Sequence, residues 1–494
     1  MKQSRDIEMV NEAFRLARVQ LETTIDQLHS DATAQMEHDQ VEALIKQQGT
    51  ELMRLLLQGH LDVRCKRERR MESFLGADGV ARTQLRQNCE RSLMTEFGQV
   101  AVRRKGYSAK GAKSLFPLDA ELNLPEDKYS SQLCRMVAQE VADSSFDEGV
   151  ESIRRTTGGK IPKRQIIEQT SNISQDFDAF YNLPGEPEKA SDLLVITVDG
   201  KGIVMREEDL RPTTRKAAEK QKDSHGARLA PGEKPNRKRM ATVAAVYSLQ
   251  AQKRTPEQIM GPKANKPAPV RAKNKRVWAS IEHDSRCVIK AAFEEALKRD
   301  PTKSRHWVVV VDGGEQQLLH ILDMLEIYQA KITLVLDLIH VLEYLWKAVH
   351  CFHPVASNEA EEWVRAKALQ VLQGAAESVA VNLRREATRK QLSQKRRRSV
   401  DKCADYLDKY SPMLEYDSYL ADGLPIASGV IEGACRHLIK DRLDRTGARW
   451  RIKSAEAIIR IRALRSSGDL DAYWSFHREQ ELQRNHSCRY AAIS

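Results

Sequence analysis

Three aspartates in this chain close apolar runs: Leu193-Leu-Val-Ile-Thr-Val-Asp199, Trp307-Val-Val-Val-Val-Asp312 and Lys331-Ile-Thr-Leu-Val-Leu-Asp337. Each run reads as a buried strand, which puts each aspartate at a strand end. One Asp-Gly at a strand end is ordinarily a turn. Repetition changes that reading, because ligands of α/β sheets gather beyond the carboxyl ends of the strands. Carboxylates that converge repel one another unless a cation neutralises them. Hard oxygen donors with open positions suit Mg²⁺ or Mn²⁺. Beside a phosphate-binding surface, such a site is arranged for two-metal phosphodiester chemistry.

Two further elements bear on the site. Asp337-Leu-Ile-His340 reads either as an aspartate capping the helix after its strand, or as a site that sets His340 beside a scissile phosphate as hydrogen-bond donor or proton shuttle. A late helix carries Glu432 in Ser428-Gly-Val-Ile-Glu-Gly-Ala-Cys-Arg-His-Leu-Ile-Lys. Helical spacing makes Ile431, Cys435 and Leu438 its buried stripe and aligns Glu432, Arg436 and Lys440 on a polar face. Surface ion pairs would give that face a few tenths of a kcal/mol and no more. The glycine-rich entry and the exit Arg445-Thr-Gly-Ala-Arg-Trp450 favour a metal ligand flanked by two cations for DNA phosphates.

Charge supports a polyanionic partner. The chain of 494 residues has a net charge of +11, and the segment from Lys201 to Arg276 alone carries 20 Lys and Arg against 7 Asp and Glu. Its basic loop, Arg211 to Arg239, contains Arg237-Lys238-Arg239, which the sequence assigns to the DNA backbone. A second cluster runs through Arg384-Arg385, Arg389-Lys390 and Lys395-Arg396-Arg397-Arg398.

The elements that would position these groups change along the chain. Residues 1–75 have helical periodicity, and Leu93 to Tyr107 alternates around Gly98 as a hairpin. Helices resume near Ser131. A helix from Phe146 stops at Gly158-Gly159, and Pro162 opens another at Lys163-Arg164, a helix–turn–helix-like pair that could put Lys163 and Arg164 in a DNA groove. Pro and Gly between 177 and 192 mark a domain boundary. Beyond it, strands are predicted at 193–199, 241–247, 307–312 and 331–337, with helices over 287–299 and 315–326 and helix from 338 to about 419.

Composition excludes several classes. Charged residues at 30%, with only 24 Gly and 16 Pro, do not fit a collagenous or a wholly disordered chain. Mean hydropathy is −0.55 and no apolar run is long enough to span a bilayer, so no membrane partner is expected. The first residues lack a signal-peptide core, which points to a cytoplasmic, nucleoid-associated protein. The 8 Cys include no Cys-x-x-Cys pair and are expected to be reduced core thiols.

Val198-Asp199-Gly200, Val311-Asp312-Gly313 and Ile431-Glu432-Gly433, in this order, resemble the DDE transposases of bacterial insertion sequences, and in particular the ISKra group, distantly related to Mutator-like transposases. That group carries an Asp/Cys-x-x-His signature some two dozen residues past the second aspartate; here Asp337-x-x-His340 follows Asp312 by 25 residues. The phrases Phe97-Gly-Gln-Val-Ala-Val-Arg-Arg-Lys-Gly-Tyr and Ile431-Glu-Gly-Ala-Cys-Arg-His-Leu-Ile-Lys-Asp-Arg extend the resemblance over about residues 90 to 465.

The resemblance implies an α+β multidomain protein. It would have a helical region (1–90), a hairpin plus helix–turn–helix-like DNA-binding region (91–185), and an RNase H-like α/β catalytic domain (190–340 and 426–470) interrupted by an all-helical insertion (341–425), with a tail at 471–494. Asp199, Asp312 and Glu432 would bind two Mg²⁺ (or Mn²⁺) ions, with His340 and Asp337 beside them. The partners would be double-stranded DNA, both terminal inverted repeats and target, and by analogy a second copy of the chain in a homo-oligomer such as a dimer. The activity implied is metal-dependent strand cleavage and strand transfer. Two other readings of the same residues are a catalytically silent DNA-binding derivative and a stand-alone metal-dependent nuclease.

Overall fold

The computed structural model describes residues 2–185, 187–188, 192–225, 236–262, 267–329, 331–445 and 447–490. They are mixed α and β, and the chain divides into two compact units, one of Met1–Asn182 with Leu470–Ser494, the other of Leu183–Asp469. No helix among the described residues is long and apolar enough to cross a membrane.

The first unit begins with helices Lys2–Ala13, Arg15–Leu28, Asp31–Ala34 and His38–Arg67. An antiparallel sheet follows, of β1 (Gln84–Thr95), β2 (Gly98–Ala109) and β3 (Ala112–Leu115). The expected hairpin is therefore present. It turns tightly at Thr95 and Gly98, whose φ of 120° suits glycine. Leu61 of the long helix joins Leu93, Val100, Val102 and Leu124 in one apolar cluster. Helices Ser131–Asp143, Phe146–Thr156 and Lys163–Ile173 come next, and Pro162 occupies the N-cap of the last. The C-terminal segment is not a tail. Leu470–Asn485 is a helix of this unit, tied in by a buried pair between His477 Nδ1 and Asp176 Oδ2 at 2.6 Å.

The second unit is built on a five-stranded sheet of β4 (Leu193–Val204), β5 (Lys238–Leu249), β6 (Lys273–Ser280), β7 (Trp307–Val311) and β8 (Ile332–Leu336), in the order β8-β7-β4-β5-β6. The pairs β4–β5 and β5–β6 are antiparallel; β4–β7 and β7–β8 are parallel. Leu193 to Val198 and Trp307 to Val311 are buried without alternation, so both faces of the sheet are covered. Its helices include α1 (Ser285–Arg299), α2 (Glu315–Tyr328), α3 (Leu338–Val349), α4 (Asn358–Leu372), α5 (Ala376–Arg389), α6 (Gln394–Lys409), α7 (Gly429–Ala434) and α8 (Ile452–Ser467), with α3 to α6 forming an all-helical stretch.

Three expectations need correction. Strand β4 does not end at Asp199 but runs five residues further, with Asp199 opposite Val243. The basic loop expected over Arg211 to Arg239 is not all loop, since it contains the helix Pro212–His225 and the first residues of β5; residues 226–235 of it lie outside the described residues. The cysteines are all free, as expected, but only Cys134, Cys403 and Cys435 are buried, while Cys287 and Cys488 are exposed.

Candidate active site

Strand register assembles the aspartates. Thr197 pairs with Val310 on β7, and continuing that register by two residues sets Asp199 level with Asp312. On the other side Val311 pairs with Leu336 of β8, so Asp337 is level with Asp312 as well. Side chains at one register of a parallel sheet project to the same face. Asp199 in β4, with Asp312 and Asp337 just past the ends of β7 and β8, thus come to the same end of three adjacent strands, from positions up to 138 residues apart in sequence.

Each carboxylate has its own local partners. Asp199 Oδ1 accepts the amide of Gly200 at 2.5 Å, and its Oδ2 accepts the thiol of Cys435 at 3.1 Å. Asp312 Oδ1 accepts the amide of Gly314 at 2.8 Å. Between them Gly313 sits at φ 83°, and a Cβ there would lie 3.1 Å from the Tyr410 ring, so glycine is required both for backbone and for space. Asp337, 3% exposed, has an amide on each oxygen: Oδ1 accepts Ile339 N at 2.8 Å, and Oδ2 accepts Ser428 N at 3.1 Å. It therefore caps α3 and also anchors the start of α7, the helix that carries Glu432.

Electrostatics tie Glu432 to these carboxylates. Its pKa is raised, first by loss of hydration and next by the negative charge of Asp337; Asp199 and Glu343 add to the rise, and His340 opposes it. Burial likewise raises the pKa of Asp337, against the pull of the two amides it accepts, with Asp312 adding repulsion. Such mutual repulsion is the electrostatic condition under which a cation is bound tightly. The donors fit a hard dication in kind. In their resting geometry they face amides and a thiol, and no group of three or more His, Cys, Asp and Glu among the described residues is arranged to hold an ion.

The helix after Glu432 departs from simple periodicity. It is α-helical only to Ala434 and continues as a π-helix over Cys435–Lys440. Wider turns of this kind are frequent at functional sites. Ile431, Cys435 and Leu438 are buried as their spacing required, together with Ala434 and Ile439. Arg436 is exposed and 3.4 Å from Asp441, and Lys440 is exposed.

Asp312 and His340 line a cavity of about 590 Å³ whose other walls include Tyr344, Tyr406, Tyr410 and Lys402. The tyrosines were not singled out from sequence. Tyr406 donates its hydroxyl to the Asp312 carbonyl at 2.9 Å and Tyr410 to the Gly313 carbonyl at 2.5 Å; Tyr416 and Tyr419 do the same for Leu336 and Leu334, at 2.7 and 3.2 Å. Four tyrosine hydroxyls, from α6 and the ten residues that follow it, thus hold the backbone around Asp312 and satisfy carbonyls of edge strand β8. The available signal was density: four of the 12 tyrosines fall between 406 and 419.

The expected DNA-contacting residues are scattered. In the first unit Lys163 is exposed and pairs with Asp147 at 2.6 Å, and Arg164 pairs with Glu168 at 3.2 Å. In the second, Arg237 is exposed, and Lys238 lies 3.4 Å from Asp444. Arg239 is spent inside the fold, donating to the carbonyls of Ile281 at 2.9 Å and Asp209 at 3.4 Å.

No family model matches the chain, and no curated protein matches it. Among solved structures it is similar to the Drosophila P element transposase strand transfer complex, with 12% identity, 74% of this chain and 83% of that chain covered, and a TM-score of 0.25.

Proposed function

We propose that this chain is a DDE-type transposase that binds the terminal inverted repeats of an insertion sequence and carries out metal-dependent strand cleavage and strand transfer. The observation that carries the reading is that Asp199 and Asp312 each stand two residues beyond the paired Thr197 and Val310, at one end of adjacent strands, with Glu432 electrostatically coupled to Asp337 and Asp199. The strand order supports it too: three antiparallel strands followed by two parallel ones beside the first is the topology an RNase H-like domain requires.

In this reading Asp199, Asp312 and Glu432 hold two Mg²⁺ or Mn²⁺ ions. Bound there, the ions would make a water, and later a 3′-hydroxyl, nucleophilic and stabilise the leaving oxygen. The protein's own groups orient the site. Asp337 caps α3 and fixes the start of α7, which sets the height of Glu432. His340, lining the cavity with Asp312, serves as hydrogen-bond donor or proton carrier at the phosphate. Gly313 and Gly314 leave the backbone beside Asp312 open to a phosphate. The basic groups Arg237, Lys238, Arg436 and Lys440 in this unit, and Lys163 and Arg164 in the other, contribute to holding DNA.

The test is incubation of the full chain with Mg²⁺ and a labelled duplex carrying the inverted repeat that flanks its gene. Cleavage at the repeat boundary, lost in Asp199→Asn while repeat binding persists, is the expected result. An Asn variant that cuts at the wild-type rate removes the assignment. Binding without any cleavage by the wild type, over a range of Mg²⁺ and Mn²⁺, would favour the silent DNA-binding reading.

A further inference from the structure

The hairpin of α5 and α6 sorts its cations into two classes. Arg384 is held by Asp405 at 2.7 Å and Asp408 at 2.6 Å, and Arg397 by Asp401 at 3.1 Å. These are internal struts. Arg385, Arg389, Lys395, Arg396 and Arg398 are exposed, and none has a carboxylate within ion-pair distance among the described residues. Crowded around one helix–helix turn they repel one another, an arrangement that costs stability unless a polyanion neutralises it. No large apolar side chain is exposed between 385 and 398, so the patch lacks the apolar centre of a protein interface.

Helix α6 connects this tip to the candidate active site. Lys395, Arg396 and Arg398 lie in its first turns, and Tyr406, near its end, donates to the Asp312 carbonyl. From Lys395 to Tyr406 the helix rises about 16 Å at 1.5 Å per residue, about five base-pair steps of 3.4 Å. We propose that the basic tip of the α5–α6 hairpin is a docking surface for the phosphate backbone of double-stranded DNA, spaced by α6 to grip the duplex about five base-pair steps from the bond being cut. The spacing rests on the reading of Asp199, Asp312 and Glu432 as the cleavage site; the docking surface stands without it.

The experiment compares two sets of substitutions in the full chain: Lys395→Gln with Arg396→Gln and Arg398→Gln, and Arg384→Gln with Arg397→Gln. Salt dependence of binding to the labelled inverted-repeat duplex is measured for each, with circular dichroism melts to establish folding. The first set should reduce the log–log salt slope by up to about 0.9 for each phosphate no longer neutralised, and the second should leave it unchanged. Phosphate ethylation about five steps from the cut should block binding of the wild type but not of the first set. A wild-type slope in the first set, or an equal reduction in the second, overturns the docking surface. Wild-type cutting by Asp199→Asn overturns the catalytic reading instead, and leaves the slopes interpretable.

Discussion

The Cys435 thiol donates to Oδ2 of Asp199 across 3.1 Å, joining residues 236 apart in sequence. The hydrogen bond ties the turn after Glu432 to the strand bearing Asp199. Burial first, and then the Asp199 charge, keep the thiol well above its usual pKa, so it remains a donor. Partners of this kind orient carboxylates, and removing one typically costs 10–100-fold in cation affinity. Cys435→Ala is expected to weaken Mn²⁺ binding by about tenfold in calorimetric titration, and Cys435→Ser to retain most of it. Equal affinities in all three proteins would reduce the thiol's role to packing.

Asp312 and Asp337 stand level just past the ends of adjacent strands, yet their surroundings assign them different work. Asp337 has both oxygens on backbone amides, and Asp312 has one. A thiolate ligand tolerates Mn²⁺ better than Mg²⁺. Asp312→Cys should therefore be inactive in Mg²⁺ and partly active in Mn²⁺, and Asp337→Cys should be impaired alike in both. Rescue by Mn²⁺ at Asp337 alone would exchange the two roles.

The raised pKa of Asp337 makes a pH signature. Between the unfolded-chain carboxylate value and the raised native one, the folded chain holds a proton that the unfolded chain has released, so stability falls as pH rises. The urea midpoint of the wild type minus that of Asp337→Asn should shrink as pH rises above the ordinary aspartate value of about 4. A difference that grows with pH would mean that the carboxylate is stabilised as the anion.

Gly313 and Gly433 each follow a candidate ligand and should respond oppositely to alanine. At Gly313 the left-handed backbone and the Tyr410 ring both resist a Cβ, and Gly313→Ala is expected to cost about 1–2 kcal/mol and to depress cleavage. At Gly433 a Cβ meets nothing within 4 Å, and Gly433→Ala should stabilise α7 by roughly 0.5–1 kcal/mol. Thermal melts of the two variants check both signs.

Sequence alone determined the parts of this protein governed by local pattern. Runs of β-branched residues ending in aspartate located β4, β7 and β8, and an apolar run located β5, because a strand buried on both faces needs an unbroken apolar run. Helical spacing identified the buried side of the Glu432 helix, and Gly98 and Pro162 marked a hairpin and a helix start. Strand β6 escaped because an edge strand tolerates lysines: its first three residues are exposed and charged or polar, as in a loop. Tertiary structure alone decided what depends on register and long-range pairing. Sequence placed three aspartates after three strands; parallel pairing brought Asp199, Asp312 and Asp337 to the same end of adjacent strands. Only the fold closed the hydrogen bonds of Asp337 on Ser428, Cys435 on Asp199 and Tyr406 on the Asp312 carbonyl. Each of these joins residues at least 91 apart, where no periodicity reaches and where partners are chosen by which buried polar groups are left unsatisfied.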